Sequence, residues 1–112
     1  MPSATGTIRK NEEGAIRGQF AVDGSTYYFV GTLLTPISSF GISNARITYK
    51  STEQLQEQPI MFEEIPIQKD QIEFRLQNGV QVSGFFDEPF SDDVVNDQTL
   101  VAGGAAWMQM ES

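Results

Sequence analysis

The sequence predicts an all-β protein: an antiparallel β-sandwich or a small β-barrel of about seven or eight strands, with at most one short helix. Three observations predict this class. Apolar and polar residues alternate with a period of two in several stretches, and glycine-containing turn signals separate those stretches. The chain has 112 residues, the length of one typical domain, so we expect residues 1–112 to form a single all-β domain.

The clearest predicted element is a β-hairpin around Asp23-Gly24. The stretch Ala15–Val22 alternates, and a second strand is predicted from about Ser25 to Leu34. Asp-Gly favours a two-residue type I′ loop, which matches the twist of the flanking strands. Such a loop sets the cross-strand pairs Val22–Ser25, Phe20–Tyr27 and Gly18–Phe29, and places apolar residues opposite one another.

A second hairpin spans Ile72 to Phe86, and the hydrophobic pattern selects its loop. A two-residue loop, Asn78-Gly79, gives a face on which apolar and polar residues mix. A three-residue loop over 77–79 gives a face that is apolar except for one glycine, through the pairs Leu76–Val80, Phe74–Val82 and Ile72–Gly84. We therefore predict the longer loop, with Gly79 in the left-handed conformation of a G1 bulge.

Four further strands and one helix complete the prediction. Thr5–Lys10 is short enough for an edge strand, and the proline in Ile60–Ile67 limits that strand to an edge or an end. The helix candidate has a capping serine, a glutamine three residues on, and a closing proline. In chain order the remaining predicted elements are strands Thr5–Lys10 and Ala45–Lys50, helix Ser51–Gln58, strand Ile60–Ile67, and strand Thr99–Met110 with a bend at Gly103-Gly104.

The composition excludes several kinds of chemistry. The chain has no cysteine and no histidine. Disulfides, thiolate metal sites and Ser-His-Asp or Cys-His catalysis are therefore excluded, as are metal sites built on histidine. Any metal would be a hard ion held by oxygen ligands. No cofactor is predicted.

The formal net charge of −8 is unevenly distributed. Five basic and three acidic residues in 1–50 give +2, and two basic and twelve acidic residues in 51–112 give −10. This is typical of a solvated surface or of an acidic patch for a basic partner, and it disfavours nucleic-acid and anionic-membrane partners. No apolar run approaches the ~20 residues of a membrane helix, and the N-terminus does not resemble a signal peptide. We expect a cytoplasmic protein.

The candidate contact surface is the acidic segment 85–97, which carries aromatic residues. A solvated loop is the simplest interpretation, and weak calcium binding is a second one. Acidic groups beside aromatic rings also fit a sugar or a cationic ligand. The candidate residues in this segment are Phe85, Asp87, Glu88, Phe90, Asp92, Asp93 and Asp97.

Two further aromatic residues are candidates for partner contacts. Trp107 alternates with Met108, so if the methionine faces the core, Trp107 faces solvent or a partner; burial of Trp107 is the alternative. Tyr28 shares one strand face with Val30, Thr32 and Leu34. The opposite face of that strand is also apolar, so we expect both faces to be covered, one of them by another subunit of a homo-oligomer.

The sequence best fits a non-enzymatic β-sheet binding or interaction module for a protein or a small ligand such as a sugar. One alternative is a small β-barrel carrier of an apolar ligand. Another is a carboxylate-based enzyme, for which Glu63, Glu64, Asp70 and Glu73 supply candidate acids and bases.

Overall fold

The computed structural model describes residues 2–55, 57–90, 95 and 99–110. Eight antiparallel strands form one sheet that curls into a half-barrel, in the order β5-β8-β3-β2-β1-β4-β7-β6, and the fold is all-β, as predicted. The described residues contain no α-helix and one 3₁₀ turn, Thr52–Gln54. The strands are β1 Ser3–Lys10, β2 Ala15–Val22, β3 Ser25–Leu33, β4 Phe40–Thr48, β5 Ile60–Met61, β6 Gln71–Arg75, β7 Gln81–Phe85 and β8 Gly103–Met110.

Both predicted hairpins form in the predicted registers. In the first, Phe20 lies opposite Tyr27 and Val22 opposite Ser25, and Asp23 and Gly24 both have positive φ, as a type I′ turn requires. In the second, Phe74 lies opposite Val82. The Leu76 N–H donates to the Val80 carbonyl, and Gly79 has φ 99°, which confirms the three-residue loop.

The predictions for the position of β1 and for the helix were wrong. Strand β1 is not an edge strand: it lies between β2 and β4 and pairs with both. The predicted helix Ser51–Gln58 shrinks to the 3₁₀ turn, because the chain leaves helical geometry at Leu55, whose side chain is buried. So short a helix has too few backbone hydrogen bonds to persist against that packing.

The two edges of the curled sheet meet at a single bridge beyond β5. Phe62 pairs with Leu76, just after β6. The Glu63 N–H donates to the Arg75 carbonyl at 2.7 Å, and the Gln77 N–H donates to the Met61 carbonyl at 3.1 Å. Of the predicted strand Ile60–Ile67, only Ile60–Met61 forms a regular strand. The rest is irregular and pairs through isolated bridges, the second of which joins Pro66 to Leu100. This segment holds the half-barrel in its curled shape.

The interior is filled by aromatic rings from across the sheet. Phe29 lies 4.8 Å from Trp107, 5.8 Å from Phe74 and 6.2 Å from Phe62 between ring centroids. Phe20 lies 5.9 Å from Trp107. All five rings are buried, so the inner face of the sheet is a packed core.

The prediction that Trp107 faces solvent or a partner was wrong. Trp107 is 0% exposed and Met108 is 52% exposed. Strand β8 pairs with β3 so that Trp107 lies opposite the inward-facing Phe29. Burial of an indole removes more apolar area from water than burial of a methionine, so this register is the more stable one.

No helix among the described residues is long and apolar enough to cross a membrane.

We predict that Trp107 reports directly on the core. Its fluorescence emission should be blue-shifted and resist quenching by iodide, because the indole is buried. Trp107→Ala should lower the free energy of unfolding by about 3–5 kcal/mol in urea titrations. An exposed residue on β7 gives the control: Gln81→Ala should change it by less than about 0.5 kcal/mol. Equal effects of the two substitutions would contradict the assignment of the inner face.

Candidate functional site

Three of the predicted contact residues line one cleft. The cleft has a volume of about 630 Å³ and lies where β1 ends, β4 begins and the chain leaves β7. Asp87, Glu88 and Phe90 form one side of it. The opposite side comes from a distant part of the sequence, residues 9–11 and 38–41. The sheet thus joins the acidic segment to a region that carries Arg9 and Lys10.

A cluster of three phenylalanines fixes the acidic side of the cleft. Phe86 lies 4.9 Å from Phe40 and 4.8 Å from Phe90, with the rings edge to face. Phe86 is buried and Phe90 is half-buried, whereas Phe85 points outward and is 65% exposed. Phe90 therefore anchors the acidic segment to the core, and the exposed part of its ring lines the cleft.

Asp87 forms hydrogen bonds with the first part of β4, beyond the residues that pair with β7. Its Oδ1 accepts the Ser43 backbone N–H at 3.0 Å, and its Oδ2 accepts the Ser43 hydroxyl at 2.9 Å. The Asp87 N–H in turn donates to the Gly41 carbonyl at 2.9 Å. Ser43 lies where the register of β4 against β1 shifts, a local bulge. The carboxylate is thus held in one orientation before any ligand arrives.

Lys10 is a buried cation that the sequence analysis did not select. Its side chain follows Ile8 on the inner face of β1 and is 3% exposed. The ammonium Nζ donates to the Ile37 carbonyl at 2.7 Å and to the Asn11 carbonyl at 3.1 Å. Burial lowers the pKa of Lys10 from its ordinary value, and the nearby Glu12 partly opposes that shift. The sequence does contain a signal for this burial, because Lys10 lies two residues after Ile8 and therefore on the same face of the strand.

The acidic cluster itself is only partly described. Asp92, Asp93 and Asp97 lie outside the described residues, so the calcium hypothesis stays a prediction. Within the described ranges, no three acidic side chains are grouped so that they could hold a metal ion. Of the candidate acid and base residues, Glu73 accepts a hydrogen bond from Arg75 Nη2 at 2.8 Å, and Glu63 lies 3.8 Å from Arg75 Nε.

Tyr28 belongs to a second surface, the outer face of β3 and β8. Tyr28 lies opposite Met108, and Val30 lies opposite Ala106. Of the five large hydrophobic side chains exposed in the described part of the chain, Met108, Met61 and Leu34 lie at outward positions of β8, of β5 and just beyond β3. We call this surface the β3–β8 face; it comprises Tyr28, Val30, Leu34, Met61, Ala106 and Met108.

The outward positions of β2, β3, β5 and β8 include no aspartate or glutamate, although the chain has 15. On the β2 side, the face is bordered by Arg17 and then Arg9, which lie directly opposite each other. Neither guanidinium has an ion pair with a described carboxylate. On the β5 side, the exposed residues Glu63 and Glu64 follow Met61. The face therefore has a basic border and an acidic border.

Comparisons with known proteins add no family to these observations. No protein-family model matches the chain, and neither a curated protein nor a solved structure matches it.

We predict that Lys10 gives the stability a specific pH dependence. Because the pKa of Lys10 is lowered in the folded state, the unfolded chain binds more protons between that value and the ordinary lysine pKa of 10.5. The free energy of unfolding should therefore rise with pH across that window, relative to a Lys10→Met variant. Urea titrations of both proteins at a series of pH values measure the difference.

Around neutral pH, below the lowered pKa, the difference between the two proteins should be constant. The wild-type protein and the Lys10→Met variant share every other titrating group, so tyrosine ionisation at high pH affects both. A difference that stays flat throughout, or that falls as pH rises, would contradict the buried position of the ammonium.

Proposed function

We propose that the protein is a non-enzymatic interaction module that associates through the β3–β8 face, and that its partner there is a second copy of the chain. One observation carries the proposal: three of the five large hydrophobic side chains exposed in the described part of the chain lie on this face, where no described outward strand residue is acidic. Exposed apolar patches on soluble proteins mark interaction surfaces. Methionine, tyrosine and arginine are enriched at such interfaces, and carboxylates are depleted.

The dimensions of the face suit the packing of one sheet on another. From Thr26 to Leu34 it extends roughly 26 Å along the strands, at ~3.3 Å per residue. Counting β2 at one border and the two-residue β5 at the other, it is at most roughly 15–19 Å wide, at ~4.8 Å per strand. That area forms the core of a standard interface, to which each partner contributes about 800 Å². Two such faces stack with their strands aligned within about 30°.

The charges at the two borders favour a symmetric dimer. A two-fold axis parallel to the strands, between β3 and β8, places the β2 border of one copy over the β5 border of the other. The basic border of each copy then faces the side of its partner that carries the acidic border. The interface centre, with Tyr28 and Met108, brings no two carboxylates together. A chain of net charge −8 can associate through this face with little like-charge repulsion.

Other observations favour this function over the two alternatives. Aromatic rings occupy the inner face of the sheet, at the place where a carrier would hold an apolar ligand. Glu63 and Glu73 are both paired with Arg75 rather than directed into a shared pocket. These contacts support a binding role and give catalysis no evident acid–base pair.

We predict that the wild-type protein is a dimer and that Tyr28→Glu and Met108→Glu are monomers. A carboxylate at either position would be buried without a partner in the dimer, but exposed in the monomer. Gln81→Glu, an exposed change on β7 outside the face, is the charge-matched control and should stay dimeric. Sedimentation equilibrium over a range of concentrations measures the subunit number.

Each variant should keep the buried emission of Trp107, which shows that it is folded. A wild-type monomer at high concentration would refute the proposed dimer. The proposal would also fail if the dimer survived both glutamate substitutions.

A further inference from the structure

The cleft beside β4 contains a small space between a cation and an anion. Gly41 lies opposite Arg9 across the strand pair, and its neighbours Phe40 and Ile42 point inward. The missing side chain of Gly41 therefore faces the cleft. The point that a Cβ would occupy there is 3.3 Å from Asp87 Oδ2 and 3.4 Å from Arg9 Nη1.

A ligand atom cannot reach that point itself, which is a bond length from the Gly41 Cα, but a polar group just above it would lie between the two side chains. Only one kind of polar group satisfies both of them. An anion there would face the Asp87 carboxylate, and a cation would face the Arg9 guanidinium. A hydroxyl can donate its hydrogen to the carboxylate while its oxygen accepts from the guanidinium. Both hydrogen bonds are charge-assisted and are therefore among the stronger ones in proteins.

We propose that the cleft binds a neutral polyhydroxylated ligand, a sugar, with one hydroxyl seated between Arg9 and Asp87 above Gly41. The site is distinct from the β3–β8 face, and its function does not depend on dimer formation. The volume of about 630 Å³ falls in the range of small-molecule pockets, roughly 300–1,000 Å³. It accommodates a monosaccharide or a disaccharide.

The rest of the cleft supplies what a sugar ring needs beyond that hydroxyl. The half-buried Phe90 ring offers an apolar surface for the C–H groups of the sugar. Glu88, Asn11 and Ser38 line the same cleft and provide further donors and acceptors.

The cleft is also held in shape before binding. Two hydrogen bonds from Ser43 fix the Asp87 carboxylate. The Lys10 ammonium holds the 37–38 segment through the Ile37 carbonyl. A preformed site loses less conformational entropy when its ligand binds.

Gly41→Ala tests directly whether a ligand hydroxyl binds between Arg9 and Asp87. The new methyl group would project between Asp87 and Arg9 and crowd a hydroxyl placed there, and the backbone of Gly41 does not have the positive φ that would strain alanine. Arg9→Gln removes the charged donor by an independent route, and Thr48→Ala, farther along β4, is the control. The probes are D-glucose, D-galactose, D-mannose and maltose at millimolar concentration, detected by saturation-transfer NMR. Acetate and tetramethylammonium serve as charged comparisons.

We expect at least one of the four sugars to bind the wild-type protein and the Thr48→Ala variant alike. Its affinity should fall by about tenfold or more in Gly41→Ala and in Arg9→Gln, the scale of one lost charge-assisted hydrogen bond. The charged probes should bind more weakly than the sugar. The proposal is overturned if none of the sugars binds, if Gly41→Ala binds as the wild type does, or if acetate or tetramethylammonium binds best. None of these results bears on the dimer proposal, which sedimentation equilibrium tests separately.

Discussion

The contact between Phe29 and Phe74 is the constraint on which the rest of the structure depends. These rings belong to β3 and β6, strands that four others separate in the sheet order, yet their centroids lie 5.8 Å apart. A flat sheet would hold them far apart. Phe62 and Trp107 pack against the same Phe29 ring, so burial of this cluster favours the curled sheet over a flat one. The bridge between Phe62 and Leu76 then joins the two edges.

This constraint determines what each surface can do. Because rings fill the concave side, the groups left for binding lie on the convex side and at the ends of the strands. Strand β8 illustrates the division: Trp107 belongs to the interior, and Met108 therefore belongs to the β3–β8 face. The cleft arises at the end of β1, where Lys10 is the last inward residue and Arg9 is the last outward one. The interior thus positions both proposed binding surfaces.

The sequence predicted those features that depend on neighbouring residues. Both hairpin registers were correct because turn chemistry and alternation act within about 15 residues. The central position of β1 and the closing bridge at Phe62 were not predictable, since they depend on pairing between distant strands. The orientation of Trp107 required knowledge of its pairing with Phe29. The alternation in β8 admits either face, because alanine, tryptophan and methionine can all be buried.

The candidate site shows the same limit. The acidic segment with Phe90 was recognisable because its residues are consecutive. The residues that complete the cleft, Arg9, Lys10 and Gly41, lie more than 40 positions away in the chain. Tyr28 was selected as a candidate because both faces of its strand are apolar, whereas the adjacency of Arg17 and Arg9 becomes visible only once their strands are aligned.

The orientation of strand β8 is the central claim, and hydroxyl-radical footprinting read by mass spectrometry tests it most directly. Labelling at low and at high protein concentration reports the exposure of every oxidisable side chain. We expect Met108 and Met61 to react readily in dilute solution and to become protected at high concentration, while Trp107 stays unreactive at both. Oxidation of Trp107 in the folded protein, with Met108 protected even at high dilution, would contradict the account. It would show that the opposite face of β8 forms the core.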